Sequence, residues 1–367
     1  MPRVPKIDRP ILLIVVFLVV IGFFIFLSAS LGITARDSGR FSSLVLNQLL
    51  FGLVLGGIFA FITSKIKFTF WRQYAFWLFI ISLFLTILVF IPGLGLEAGG
   101  AKRWLLLGPL SFQPSELLKI TTILYMATWF SGVKNKVETL KYGLIPLGIV
   151  AGVVGIVLLL QPDTDTYVVL VSALVSMYFV AGGKWKHILS IVGIGLICLA
   201  LLLTFRPYLK DRLLTFLDPT SDALGSGYQI QQSLIAIGSG GFHGRGFGQS
   251  LQKFNFLPEP IGDSIFAVYA EEFGFLGTLL LLALFVAFLW RGLKIAANST
   301  DLFGGLVAIG IVILITVQSF TNIMAMLGLI PLSGLPLIFV SHGGSALFVT
   351  LSSVGILFNI SRYQKNS

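Results

Sequence analysis

Apolar runs of about 17–25 residues, the length an α-helix needs to cross a bilayer, recur along almost the whole chain. They fall at 10–30, 43–64, 73–92, 112–132, 142–160, 165–182, 187–205, 263–290, 304–328 and 340–361. The fourth is the least apolar, because Pro114-Ser-Glu116-Leu-Leu-Lys119 opens it with charges. Most connections are short. The longest, 206–262, carries a cluster of glycines from Gly225 to Gly248, and Tyr228–Ile237 within it sets Ile230, Leu234 and Ile237 on one side. That spacing predicts a short amphipathic helix lying in the interface plane rather than spanning. The expected fold is an all-α polytopic membrane protein, one integral membrane domain over 1–367. It has ten transmembrane helices and a large extracytoplasmic loop between spans seven and eight.

Composition agrees: 56% of the 367 residues are hydrophobic and 11% charged, against about 25% charged in soluble domains. Arg3, Lys6 and Arg9 precede an apolar run longer than a signal-peptide core, which predicts a retained first span. The single cysteine, Cys198, lies within a span and excludes an intramolecular disulfide. The three histidines, His187, His243 and His342, lack metal-ligand spacing.

The net charge of +10 is an orientation signal. Arg3, Lys6, Arg9, Lys65, Lys67, Arg72, Lys134, Lys136, Lys141, Lys184, Lys186, Arg291, Lys294, Arg362 and Lys365 occupy one set of connections. By the positive-inside rule that set is cytoplasmic, and both termini with it. Only Asp8, Glu138 and Asp301 among the acids share that side. The basic residues face anionic lipid, so no nucleic-acid partner is called for. Chemistry is expected on the outer face.

Phe256-Leu-Pro-Glu-Pro-Ile-Gly-Asp263, followed by Glu271 and Glu272, leads the long connection into the eighth span. Asp263 can cap the helix, but the glutamates lie about two and a half turns deeper. Carboxylates are costly in a bilayer, and three on one apolar helix point to function. Glu116 and Lys119 are neighbours on one helix face, either a neutralising pair or the lining of a polar cavity. Gln161-Pro162-Asp163-Thr-Asp165 reads as a turn with a helix cap. The run Gly238 to Gly248 is no dinucleotide loop, since no strand precedes it; it lets backbone approach a bulky ligand or turn sharply. Arg103, Arg212, Arg245 and Lys102 are outer cations able to hold a pyrophosphate.

Several of these pieces, with others between them, resemble the SEDS proteins, the family of FtsW, RodA and SpoVE. They are Gly99-Gly-Ala-Lys-Arg103-Trp104, Gln113-Pro-Ser-Glu116-Leu-Leu-Lys119, Gln161-Pro-Asp163, Leu217-Asp-Pro219, Gly225-Ser-Gly-Tyr228 and Gln232-Ser-Leu-Ile-Ala-Ile-Gly238. They continue with Gly246-Phe-Gly-Gln-Ser250, Leu257-Pro-Glu-Pro260 with Asp263, Ala270-Glu-Glu272 and Ser341-His-Gly-Gly-Ser345. Gln252-Lys253 and Asn359-Ile-Ser-Arg-Tyr363 look more like the FtsW/SpoVE branch. The resemblance implies a peptidoglycan glycosyltransferase of the bacterial cytoplasmic membrane, polymerising lipid II on its outer face beside a class B penicillin-binding protein. It puts the essential aspartate, the expected general base, at Asp263.

The resemblance places the family's other charged site positions on Glu116, Lys119 and Asp163; the outer cations Arg103, Arg212 and Arg245, with His342 and Ser345, are further candidates for the cavity or substrate site. No metal ligands are implied, although a divalent cation (Mg or Mn) could assist the pyrophosphate. This chain departs from the family's usual pattern at Ile261-Gly262 for His-Thr, Ser264 for Phe, Asp163-Thr-Asp165-Thr166 for Asp-Leu-Gly-Thr, and His342 for Tyr. A flippase for the lipid-linked precursor and a non-catalytic scaffold are the alternative readings, and elongation, division and sporulation stay open as roles.

Overall fold

A computed structural model describes residues 7–34, 44–98, 101–107, 110–220, 222 and 225–365. The helices are α1 Arg9–Thr34, α2 Leu44–Lys65, α3 Phe68–Leu88, α4 Pro114–Val133, α5 Leu140–Leu160 and α6 Thr164–Val180. They continue with α7 Trp185–Phe205, α8 Pro207–Leu217, α9 Ser226–Ser239, α10 Ile265–Ala297, α11 Leu302–Met326 and α12 Gly344–Ser361. Each predicted span corresponds to one of these. Among the described residues, eight helices are long and apolar enough to cross a membrane: α1, α2, α3, α5, α7, α10, α11 and α12. The other two predicted spans correspond to α4, which carries the buried Glu116 and Lys119, and to the 17-residue α6.

Two elements outside the spans position the site. The connection before α4, expected as a plain loop, folds into an antiparallel sheet of β1 (Gly95–Ala98), β2 (Ala101–Leu107) and β3 (Leu110–Phe112), ordered β1-β2-β3. The all-α expectation thus describes the bundle, and the sheet that carries Arg103 is added to it. In the long connection, α9 contains the predicted amphipathic stretch and buries Ile230, Ser233 and Ala236. Pro114 and Pro207 stand in the first turns of α4 and α8, where a missing N–H costs nothing.

The centre of the bundle is α11 and α12, buried along nearly all of their length, whereas α7 turns almost every residue outward. Around that centre α10 packs on α11, α1 on α10, α6 on α11, and α2 on α12.

Inside α10 the helix breaks at Gly274, whose φ of +63° lies in the left-handed region that glycine tolerates. Backbone groups freed by the break are taken up by the glycine-rich loop. Phe275 N donates to Gly241 O at 2.9 Å, Leu276 N to Phe242 O at 3.2 Å, Arg245 N to Glu271 O at 3.0 Å and Gly246 N to Glu272 O at 2.9 Å. A methyl on Gly244 would lie 2.2 Å from Glu272 O. The close backbone approach anticipated for this loop is therefore made to a helix.

Glu271 and Glu272, read from the sequence as functional, belong to the same junction. Glu271 accepts from Ser250 Oγ (2.6 Å), Leu251 N (3.0 Å) and Gln252 N (3.2 Å), and Arg245 Nε stands 3.4 Å away. Glu272 accepts from Lys253 Nζ (2.7 Å) and from Ser28 Oγ of α1 (2.6 Å). Lys253 Nζ also donates to Ser28 Oγ (2.9 Å) and Gly248 O (2.8 Å). All three side chains are buried. The glutamates are staples, and their charge is cancelled where it sits.

Removing one partner of such a pair strands the other charge, at a cost of about 3–5 kcal/mol. Lys253→Met is expected to destabilise the detergent-purified protein by that order, read as a lower unfolding midpoint, and Lys253→Met with Glu272→Gln to recover part of it. Gly274→Ala, which forces a side chain to φ +63° with its Cβ 2.3 Å from Gly244 N, is expected to unfold earlier in the same thermal scans.

Candidate active site

Asp263 stands two residues before the start of α10, and Ser264 holds the N-cap position with no side-chain cap bond. Capping therefore does not account for Asp263. The backbone around it is pinned from several sides. Asn322 Nδ2 of α11 donates to Asp263 O at 2.8 Å and to Leu335 O at 2.8 Å. Ser341 Oγ donates to Gly262 O at 2.8 Å, and His342 N donates to Ile261 O at 2.7 Å. Gln229 Nε2 of α9 donates to Ser264 Oγ at 2.9 Å, so serine in place of the family's usual Phe gives α9 a polar handle beside the aspartate.

The carboxylate itself faces charge of both signs. A methyl built on Gly334 would lie 3.9 Å from Asp263 Oδ2 and 3.8 Å from Arg212 Nη2. Arg212 Nη1 of α8 donates to Asp165 Oδ2 at 2.8 Å, and Gly334 N donates to the same oxygen at 3.2 Å. Burial, then the negative charges of Glu259 and Asp165, push the Asp263 carboxyl up to about 7, against the opposing pull of Arg212 and Arg103. A carboxylate poised near neutrality can take a proton from a hydroxyl and hold it.

A second cluster adjoins the first. Arg103, carried by β2, donates through Nε to Gln161 O at 3.2 Å and through Nη2 to Pro162 O, with Nη1 3.7 Å from Asp163 Oδ1. Asp163 is buried, and burial raises its proton affinity although Arg103 works against the shift. Within the bundle Lys119 Nζ donates to Glu116 Oε1 at 2.9 Å and to Gln318 Oε1 at 2.8 Å, while Gln318 Nε2 reaches Pro336 O at 3.3 Å. Asp263, Arg212, Arg103, Asp163, Lys119 and Glu116 are thus joined through α11, the 333–336 segment and the α5–α6 turn.

Four residues singled out in the sequence lie apart from that chain of charges. Arg245 is turned to Glu271. His342 stacks on Phe26 with ring centroids 5.8 Å apart, and its Nε2 is buried without a partner. Ser345 is buried in the first turn of α12. Lys102 forms an exposed pair with Glu97 at 3.8 Å.

Sequence reasoning missed Gln318, Asn322 and the pairing role of Asp165. Gln318 and Asn322 are four apart on a largely apolar span, the spacing that puts two polar groups on one face. Among the described residues no group of three or more His, Cys, Asp or Glu is arranged to hold a metal ion. Asp165 and Asp163 are each paired with an arginine, while Glu259 is the acid whose charge acts most strongly on Asp263.

Against known proteins, residues 9–366 match the family model of FtsW, RodA and SpoVE, described as cell cycle proteins. The chain is 42% identical over 319 residues to stage V sporulation protein E of Bacillus subtilis, covering 87% of each chain. It is 38% identical over 359 residues to a probable peptidoglycan glycosyltransferase FtsW of Nitrosococcus halophilus, covering 97% of this chain and 92% of that one. Its fold superposes with a TM-score of 0.79, at 30% identity, on a chain of a peptidoglycan synthase complex, covering 98% of this chain and 99% of the other. The bundle, the charged turn before α10 and these matches together make the chain an integral membrane protein of the FtsW/RodA/SpoVE (SEDS) family.

Proposed function

We propose that this protein is a peptidoglycan glycosyltransferase that polymerises lipid II at the outer face of the bacterial cytoplasmic membrane, with both termini inside. The observation that carries the reading is Asp263 beside Arg212, in a chain whose relatives are named peptidoglycan glycosyltransferases. Lipid II carries its sugar on a pyrophosphate, already a good leaving group. The reaction needs a base for the acceptor hydroxyl and cations for the departing charge, not a pair of hydrolase carboxylates.

In this reading Asp263 removes the proton from the GlcNAc 4-hydroxyl. The oxygen attacks the anomeric carbon of the donor sugar as its bond to the pyrophosphate breaks, with inversion, and the electron pair leaves with the undecaprenyl pyrophosphate. Arg212 and Arg103 stabilise that charge, the kind of electrostatic work that dominates such barriers. Glu116, Lys119 and Asp163 shape the polar cavity, and grooves between helices take the polyprenyl tails. Asn322 positions Asp263 through its backbone. A class B penicillin-binding protein is the proposed partner, supported by the likeness to a chain of a peptidoglycan synthase complex.

Glycan-chain formation from lipid II by the purified protein, with and without that partner, tests the reading. Wild type is expected to form polymer, and a folded Asp263→Asn to lose at least about a hundredfold in rate, the contribution of a positioned base. Polymerisation by Asp263→Asn at the wild-type rate would remove the base assignment; lipid movement across vesicles without polymer would favour a flippase.

The pH profile gives a second test. Asp263 accepts a proton only when ionised, so with its carboxyl raised to about 7 the rate is expected to fall about tenfold per pH unit below that value and to level off above it. Glu259→Gln removes a like charge and is expected to move the acid limb to lower pH. The raised value also means that the folded state favours the protonated carboxyl. Its stabilising contribution is complete below the ordinary aspartate range and lost as pH rises through about 7. Asp263→Asn is therefore expected to melt at a higher temperature than wild type at pH 8, with the difference shrinking toward pH 5.

A further inference from the structure

The helix α8 reaches the bundle through polar side-chain bonds to one corner, the junction of α5 and α6. Arg206 Nη2 donates to Leu159 O at 3.4 Å, Tyr208 OH and Thr164 Oγ1 share a hydrogen bond of 2.6 Å, and Arg212 Nη1 donates to Asp165 Oδ2 at 2.8 Å. Of its apolar side chains only Leu209 is buried, and the preceding α7 is nearly all outward-facing. Thr164 and Asp165, which hold Tyr208 and Arg212, both stand in the first turn of α6.

Asp165 does more than anchor a helix. Its Oδ2 takes both the Arg212 guanidinium and the amide of Gly334, two donors that would otherwise meet an anion beside Asp263. The pair is about a third exposed on the Arg212 side and a quarter on the Asp165 side, within reach of solvent and of an incoming group. A carboxylate held by one arginine and one backbone amide is the arrangement with which proteins also hold a phosphate oxygen.

We propose that Asp165 is a built-in competitor for the pyrophosphate subsite: it occupies Arg212 and the Gly334 amide when no substrate is bound, and the pyrophosphate of the lipid-linked donor enters by displacing it. The proposal rests on the reading of the site given above and adds a residue that sets how tightly the donor is held. Asp165 is a specificity-determining residue here and takes no part in bond making. Only a ligand with enough negative charge to outbid a carboxylate opens the subsite, which discriminates the pyrophosphate-linked donor from neutral lipids and from the growing sugar chain.

The test is binding of inorganic pyrophosphate to the full-length purified protein by calorimetry, in wild type, Asp165→Asn, Arg212→Gln and the double variant. Asp165→Asn is expected to bind about tenfold more tightly than wild type, the effect of relieving a competing partner worth about 1.4 kcal/mol. Arg212→Gln is expected to bind weakly, and the double variant to show no gain over it. With lipid II, Asp165→Asn is expected to lower KM and, because it removes a like charge that raises the Asp263 carboxyl, to move the acid limb of the pH profile to lower pH.

Unchanged or weaker pyrophosphate binding by folded Asp165→Asn would overturn the proposal, as would a gain that survives in the Arg212→Gln background. Asp165→Ser serves if the asparagine variant fails to fold, judged by melting temperature. The two readings fail separately. Pyrophosphate tightening without any polymerisation by wild type keeps the competitor and removes the polymerase; Asp263-dependent polymerisation without tightening does the reverse.

Discussion

Hydrocarbon offers no water to a stray amide or charge, so each polar group brought into the bundle has to meet its partner inside the protein. The break in α10 is where this constraint bears hardest. A helix interrupted at Gly274 exposes backbone donors and acceptors, and the loop at 240–246 supplies matching ones. Once that loop is docked, Ser250 and Lys253 lie against Glu271 and Glu272, and α1 is drawn in through Ser28. The turn holding Asp263 follows directly from this docked loop, so the position of the proposed base depends on a junction that performs no chemistry.

The same rule arranges the other half of the site. Lys119 is tolerable inside the bundle because Glu116 and Gln318 both accept from it, and Asn322 spends its two amide hydrogens on carbonyls of segments that have no helical partner. Arg103 and Arg212 stand among Asp163, Asp165 and Asp263, two cations against three acids. At Asp263 burial and neighbouring acids outweigh the arginines, as burial outweighs Arg103 at Asp163. That imbalance is what makes a carboxylate a useful base near neutral pH.

Much of the fold was legible because transmembrane helices announce themselves by length and apolarity. The ends were less so: α3 begins at Phe68 rather than 73 and α10 runs on to Ala297, since charged and aromatic residues at a helix end carry no hydropathy signal. The sheet escaped notice because β1 and β3 are only four and three residues long and β2 mixes charged and apolar residues without a clean alternation. Among site residues, the motif that flags Asp263 also flags Glu271 and Glu272, and hydropathy counts all three alike. Only the partners separate them: lysine, serine and backbone amides on the glutamates, an arginine shared with another acid near the aspartate. Partners hundreds of residues away in sequence, such as Ser28 for Glu272, leave no local trace.

The knot of Ser28, Lys253 and Glu272 has a consequence for how the protein is made. Ser28 lies on α1, and its partners follow 225 and 244 residues later in the chain. That helix enters the bilayer bearing a neutral hydroxyl, while the later lysine and glutamate can go in as a mutually cancelled pair. The knot can tie only after α10 has been synthesised, which makes docking of α1 onto α10 a late step of assembly, with α1 waiting beside half-built neighbours until then.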